Sequence, residues 1–109
     1  MIYSRWDVVV VPFPFADKPG TKRRPALVLS NMEFNKGGNS VLAMITTKGH
    51  FPWPGDSEIE DYPAAGLNLP CQVRLKVFTL DNRLLLKKIG RLSENDSESV
   101  KENLHRYLS

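Results

Sequence analysis

Residues 8–11 are four consecutive valines, and Pro12 ends the run. This run constrains the fold more than any other feature. β-Branched side chains are restricted at χ1 and suit a helix poorly, and an apolar run without alternation suits a strand covered on both faces. No unbroken apolar run in the chain approaches the ~20 residues that a membrane-spanning helix needs. The first seven residues, MIYSRWD, have no basic start followed by an apolar stretch, so no signal peptide is expected. The single cysteine, Cys71, excludes an intrachain disulfide, and a cytoplasmic protein is the expectation. The 109 residues read as a single domain over 1–109. A hydrophobic share of 41% and a charged share of 25% argue against collagen-like, disordered and disulfide-scaffold classes.

Periodicity and turn chemistry supply the other elements. Pro12 and Pro14 confine the end of the valine strand to a sheet edge or an extended loop. Residues 17–24 (DKPGTKRR) read as a turn-rich basic loop, 25–30 (PALVLS) as a second strand, 35–39 (NKGGN) as a turn and 40–47 (SVLAMITT) as a third strand. Residues 51–66 carry too much proline and glycine for regular structure, apart from a short strand at 57–61. Over 71–78, Cys71, Val73, Leu75 and Val77 alternate with Gln72, Arg74 and Lys76, which predicts a half-exposed strand. Residues 84–89 fit either a helical turn or a strand. Ser93 as N-cap, Asp96 at the capping-box position, and Val100, Leu104, Tyr107 and Leu108 on one face predict a terminal helix. The expectation is a mainly β chain, a small curved sheet or half-open barrel with a C-terminal α-helix against it.

Charge is unevenly placed. Residues 1–50 carry seven Lys/Arg against three Asp/Glu, residues 51–70 none against four, residues 71–92 six against one, and residues 93–109 two against four. Two basic blocks separated by an acidic loop could form one electropositive face for a polyanion. His50, His105 and Cys71 are too few for structural-zinc spacing, and Cys71 falls on the apolar side of its strand, away from a nucleophilic role. Glu58, Glu60 and Asp61 read as a solvated acidic loop, and no phosphate-loop spacing is present. What remains is Lys22, Arg23 and Arg24 leading into a strand, Thr46 and Thr47 closing another, and Arg74 with Lys76 on a third. Guanidinium and hydroxyl groups of this kind can clamp a phosphate and stabilise the charge of a phosphorane-like transition state. RNA already carries its nucleophile, the 2′-hydroxyl, so no metal or cofactor is required.

Five blocks then resemble the PemK/MazF family of toxin endoribonucleases: WDVVVVPFPFAD at 6–17, KRRPALVLSN at 22–31, AMITT at 43–47, VRLKVFTLD at 73–81 and IGRLS at 89–93. They run in order over nearly the whole chain. The resemblance implies an SH3-like, CcdB-like barrel, a homodimer, metal-independent cleavage of single-stranded RNA, growth inhibition and neutralisation by a cognate antitoxin. It implies Arg24 and Thr46 as catalytic residues, with an arginine on the later strand matched by Arg74. Lys22, Arg23, Thr47, Arg74 and Lys76 are the expected RNA-binding residues. Trp6 stands where the family usually has glycine, and Lys76 where some members have a carboxylate. Pro19, Gly20 and Thr21 occupy the stretch where some members carry an acidic residue or histidine. A gyrase-inhibiting toxin without an active site and a catalytically inactive RNA-binding barrel are the alternative readings.

Overall fold

The computed structural model describes residues 1–14, 19–49 and 51–109. Its elements are β1 (Asp7–Phe13), β2 (Lys22–Val28), α1 (Met32–Asn35), β3 (Asn39–Thr47), β4 (Ser57–Ile59), β5 (Cys71–Asp81), a 3₁₀ turn (Asn82–Leu84), β6 (Lys87–Arg91) and α2 (Glu94–Leu108). The strands form one six-stranded antiparallel sheet in the order β4-β5-β3-β2-β1-β6. It is a curled half-barrel with a C-terminal helix, as the sequence predicts.

The valine run is buried on both faces. Val8 joins Leu27, Ala43, Ile45, Ile59, Cys71, Val73 and Val100 in one cluster, while Val9 and Val11 join Tyr3, Ala26, Val28, Leu42, Leu80 and Leu85 in a second. β1 is an inner strand, so Pro12 lies within the sheet. The edge expected there is local: β6 pairs with β1 only as far as Val10, which leaves the β6 side of Pro12 without a ladder. Lys22, Arg23 and Arg24, expected in a loop, are the first residues of β2 and pair with Phe13, Pro12 and Val11.

The ladder on β5 is interrupted by a bulge. Ala43 pairs with Val77 and Met44 with Arg74, so Leu75 and Lys76 are extra residues opposite one step of β3. A bulge bends the strand, but two extra residues leave the alternation of faces intact. Cys71 and Val73 stay in the first cluster, Val77 on the same side is 42% exposed, and Leu80 on the opposite side enters the second cluster. The 84–89 ambiguity resolves as the end of the 3₁₀ turn followed by β6.

Two connections cross closely. A Cβ at Gly66 would lie 2.0 Å from the Ile89 carbonyl oxygen, and one at Gly90 2.3 Å from the Ala65 carbonyl carbon, so both positions require glycine. Trp6 has φ of 75° between two backbone bonds, its N–H to the Val28 oxygen and its oxygen from Leu92 N–H, which explains why glycine suits that position. The short helix α1 is missing from the sequence reading. Asn31 caps it, and Asn35, read there as a turn residue, is fully buried and donates to the Tyr3 and Ser30 carbonyls at 2.9 and 3.0 Å.

Ser93 caps α2 by accepting the Asp96 N–H at 3.1 Å. The reciprocal half of the capping box is absent. The Asp96 carboxylate accepts instead the Glu60 and Asp61 N–H groups at 3.0 and 2.9 Å, tying the 57–66 loop to the helix start. Val100 and Leu104 pack on the first cluster, whereas Tyr107 and Leu108, expected on the same face, stand 47% and 61% exposed in the last turn. Asp96→Ala removes the partner of both loop amides and should lower stability by about 1–3 kcal/mol, read as a fall in the urea midpoint at unchanged slope.

Candidate active site

β2 and β3 are held by a ladder that ends abruptly. Leu29 N–H donates to the Val41 oxygen, and pairing continues through Val28–Leu42 and Leu27–Ala43 to Ala26–Met44. In an antiparallel pair the mutually bonded residues recur every second position. After Leu29–Val41 and Leu27–Ala43, the next bonded pair falls on Pro25 and Ile45, and proline has no N–H to give. The strands part there. The residues beyond, Arg24 and Thr46, line the opening instead of pairing with each other.

The opening is a cleft of about 350 Å³ lined by Phe13, Arg24, Pro25, Met44, Ile45, Thr46, Thr47 and Cys71. Arg24 is exposed and makes no ion pair among the described residues. Thr46 Oγ1 is buried and has no hydrogen-bond partner among them. An unpaired buried hydroxyl is unfavourable by about 1–3 kcal/mol, so it gains from an incoming oxygen ligand. Among the described residues, no carboxylate or imidazole lines the cleft. Cys71 does line it, but burial pushes its thiol up from the ordinary range, away from the thiolate a nucleophile needs. His105 is exposed near the end of α2, and His50 lies outside the described residues. No group of His, Cys, Asp and Glu able to hold a metal occurs among the described residues.

The other expected site residues are dispersed. Lys22 is exposed at the start of β2. Arg23 does not line the cleft; it borders a separate depression with Val10, Gly66, Leu67, Asn68, Lys87 and Ile89 that Arg24 also borders. Arg74 and Lys76 do not line the cleft. The Arg74 side chain is 11% exposed, and its Nε and one terminal nitrogen donate to the Asp56 carboxylate at 3.1 and 3.0 Å. The same terminal nitrogen reaches the Phe51 oxygen at 2.6 Å. The Asp56 carboxylate raises the Arg74 pKa further above its ordinary value, chiefly by this hydrogen bonding. Lys76 stands 4.8 Å from the Trp53 ring centroid. The sequence reading missed Asp56, because within an acidic loop its charge looks solvated; its place just after Pro54 and Gly55 was the available signal.

The fold is a small half-barrel whose cleft opens between two strand ends. The family described as "PemK-like, MazF-like toxin of type II toxin-antitoxin system" matches residues 4–108. The chain belongs to this family. An endoribonuclease in complex with its cognate antitoxin from a mycobacterial species is 19% identical, with a TM-score of 0.76 over 97% of this chain and 94% of that one. A MazE-MazF structure (Form-III) from Deinococcus radiodurans is 21% identical, with a TM-score of 0.77 over 99% and 97% of the two chains. Mycobacterium tuberculosis toxin MazF-mt6 is 20% identical, with a TM-score of 0.73 over 92% and 93%. At such identity these likenesses establish the shared fold. No protein among the curated ones matches the sequence.

The buried, undissociated Cys71 thiol gives a direct check on the cleft's chemistry. Ellman's reagent at pH 8 should label the native protein slowly and label one thiol at once after denaturation.

Proposed function

We propose that this chain is the toxin of a toxin–antitoxin pair and acts as a metal-independent, sequence-specific endoribonuclease on single-stranded RNA. The observation that carries the reading is the parted end of β2 and β3. A guanidinium without an ion pair and a hydroxyl without a partner, among the described residues, share one cleft in a family of toxins.

The chemistry asked of the protein is alignment and charge stabilisation. The 2′-oxygen attacks the adjacent phosphorus, its proton is lost, and the bond to the 5′-oxygen breaks. That oxygen takes up a proton, leaving a 2′,3′-cyclic phosphate and a 5′-hydroxyl. Negative charge grows on the non-bridging oxygens during the attack. Arg24 holds those oxygens with its planar, two-pronged donor set, and Thr46 turns its hydroxyl to the same group. Lys22 and Arg23 extend the positive charge along β2, Thr47 adds a second hydroxyl at the cleft, and Lys76 lies farther along the strand path. Arg74, engaged by Asp56, acts on the 51–56 loop and not on the scissile phosphate.

A positive face that accepts RNA also accepts the carboxylates of an acidic antitoxin segment, so the two compete for it. The protein pairs as a homodimer, since a core this small leaves large apolar side chains such as Phe34, Leu69 and Val77 exposed. No helix among the described residues is long and apolar enough to cross a membrane, and the cytoplasm, where RNA is translated, is the expected compartment.

Incubation with a long RNA in excess EDTA should give discrete fragments ending in cyclic phosphate; RNA bound but left intact would sink the nuclease reading. Arg24→Ala and Arg24→Lys should each lower the cleavage rate by about 10²–10³-fold, because lysine keeps the charge but loses the fork, with circular dichroism and melting unchanged. RNA affinity should fall at least about ten-fold between roughly 50 and 200 mM salt as backbone counterions are released.

A further inference from the structure

Beside the cleft lies a second, larger hollow of about 590 Å³, lined by Pro52, Trp53, Pro54, Gly55, Asp56, Gln72 and Tyr107. The two hollows flank a single cross-strand pair. Thr46 lines the cleft, Gln72 lines the second hollow, and the two are register partners on β3 and β5. Directly paired residues in antiparallel strands lie about 4.5–5.5 Å apart, so a strand of nucleic acid leaving the cleft toward β5 meets this hollow next.

Its walls suit a nucleobase. Trp53 is 40% exposed and Tyr107 47% exposed, so both aromatic rings are accessible. Trp53 is held in place from several sides. Pro52 and Pro54 restrict the backbone around it. Its backbone N–H donates to the Asp56 carboxylate at 3.0 Å, and Asp56 is fixed in turn by the fork of Arg74. The ring lies near cationic groups, Lys76 at 4.8 Å and the Arg74 guanidinium at 5.8 Å. Arg106 stands 5.4 Å from the Tyr107 ring. A fixed aromatic surface loses little entropy when a base stacks on it, and the neighbouring cations suit the phosphates on either side. The Gln72 amide offers both a donor and an acceptor to a base edge.

We propose that this hollow is a nucleobase subsite, in which Trp53 and Tyr107 stack the unpaired base next to the scissile phosphate and Gln72 reads its edge. The inference rests on the RNA-cleavage reading above and adds the place where sequence preference arises. Asp56 and Arg74 are positioning residues that present Trp53.

The probe is a mixed-sequence 12-mer of single-stranded DNA, which carries phosphates and bases but no 2′-hydroxyl and so is not cut, together with its abasic counterpart. Tryptophan emission should be quenched by the 12-mer and not by the abasic strand, and the quench should vanish in Trp53→Phe. Trp53→Ala should weaken 12-mer binding about 10- to 100-fold, while Trp53→Phe stays within a few-fold of the parent. An emission that saturating 12-mer leaves unchanged, or a quench that survives in Trp53→Phe, overturns the subsite. So does a folded Trp53→Ala protein that binds as tightly as the parent. A protein that cleaves RNA but fails these tests loses only this inference. One that neither cleaves RNA nor binds the 12-mer loses the nuclease reading itself.

Discussion

The missing N–H of Pro25 is the constraint on which the site depends. Between β2 and β3 the bonded pairs fall on Leu29, Leu27 and then Pro25. A residue with an amide there would carry the ladder toward Arg24 and Thr46 and draw the strands together. Proline stops it, and the sheet opens at the point where a guanidinium and a hydroxyl stand on facing strands. The arginine before the proline is thus placed by the proline. A strand scaffold also holds these two groups more rigidly than loops would, and positioning is the main contribution such a site makes.

The rest of the fold keeps this opening in shape. The valine run anchors β1 on both faces of the sheet, which fixes β2 beside it. β5 turns Cys71 and Val73 to the first cluster and Leu80, on its opposite face, to the second, so one strand serves both cores. At the periphery, the buried Asp7 carboxylate is held by Arg91 at 2.9 Å and Lys88 at 3.2 Å, binding β6 to β1. Asp56 and Arg74 do the same for the 51–56 loop, so charges that a sequence reader assigns to ligand binding also serve as internal clasps.

The legible parts of the fold were those set by local pattern. Four valines fixed a doubly covered strand, the Ser93 cap fixed the start of the final helix, and the proline-rich stretch fixed a long connection with one short strand inside it. Features set by pairing between distant segments stayed hidden. The bulge at Leu75 and Lys76 depends on the pairing with β3, not on the alternation of β5. Asn35 looks like a turn residue until the carbonyls of Tyr3 and Ser30 close around it. Lys22 and Arg23 join a strand only because β1 offers them partners. For the candidate site, Arg24, Thr46 and Thr47 line one cleft. Arg74 does not, because Asp56, eighteen residues away in sequence, engages its fork.

The central claim is that a phosphate enters between Arg24 and Thr46 where the ladder stops. Titration of ¹⁵N-labelled protein with an uncleavable single-stranded oligonucleotide, followed through the Arg24 Nε–H and the Thr46 amide, tests it most directly. The account predicts that both signals shift together, in saturable fashion, and that the Arg24 Nε–H becomes protected from exchange. Saturation of the oligonucleotide with both signals unmoved, and shifts gathered elsewhere on the sheet, would contradict it.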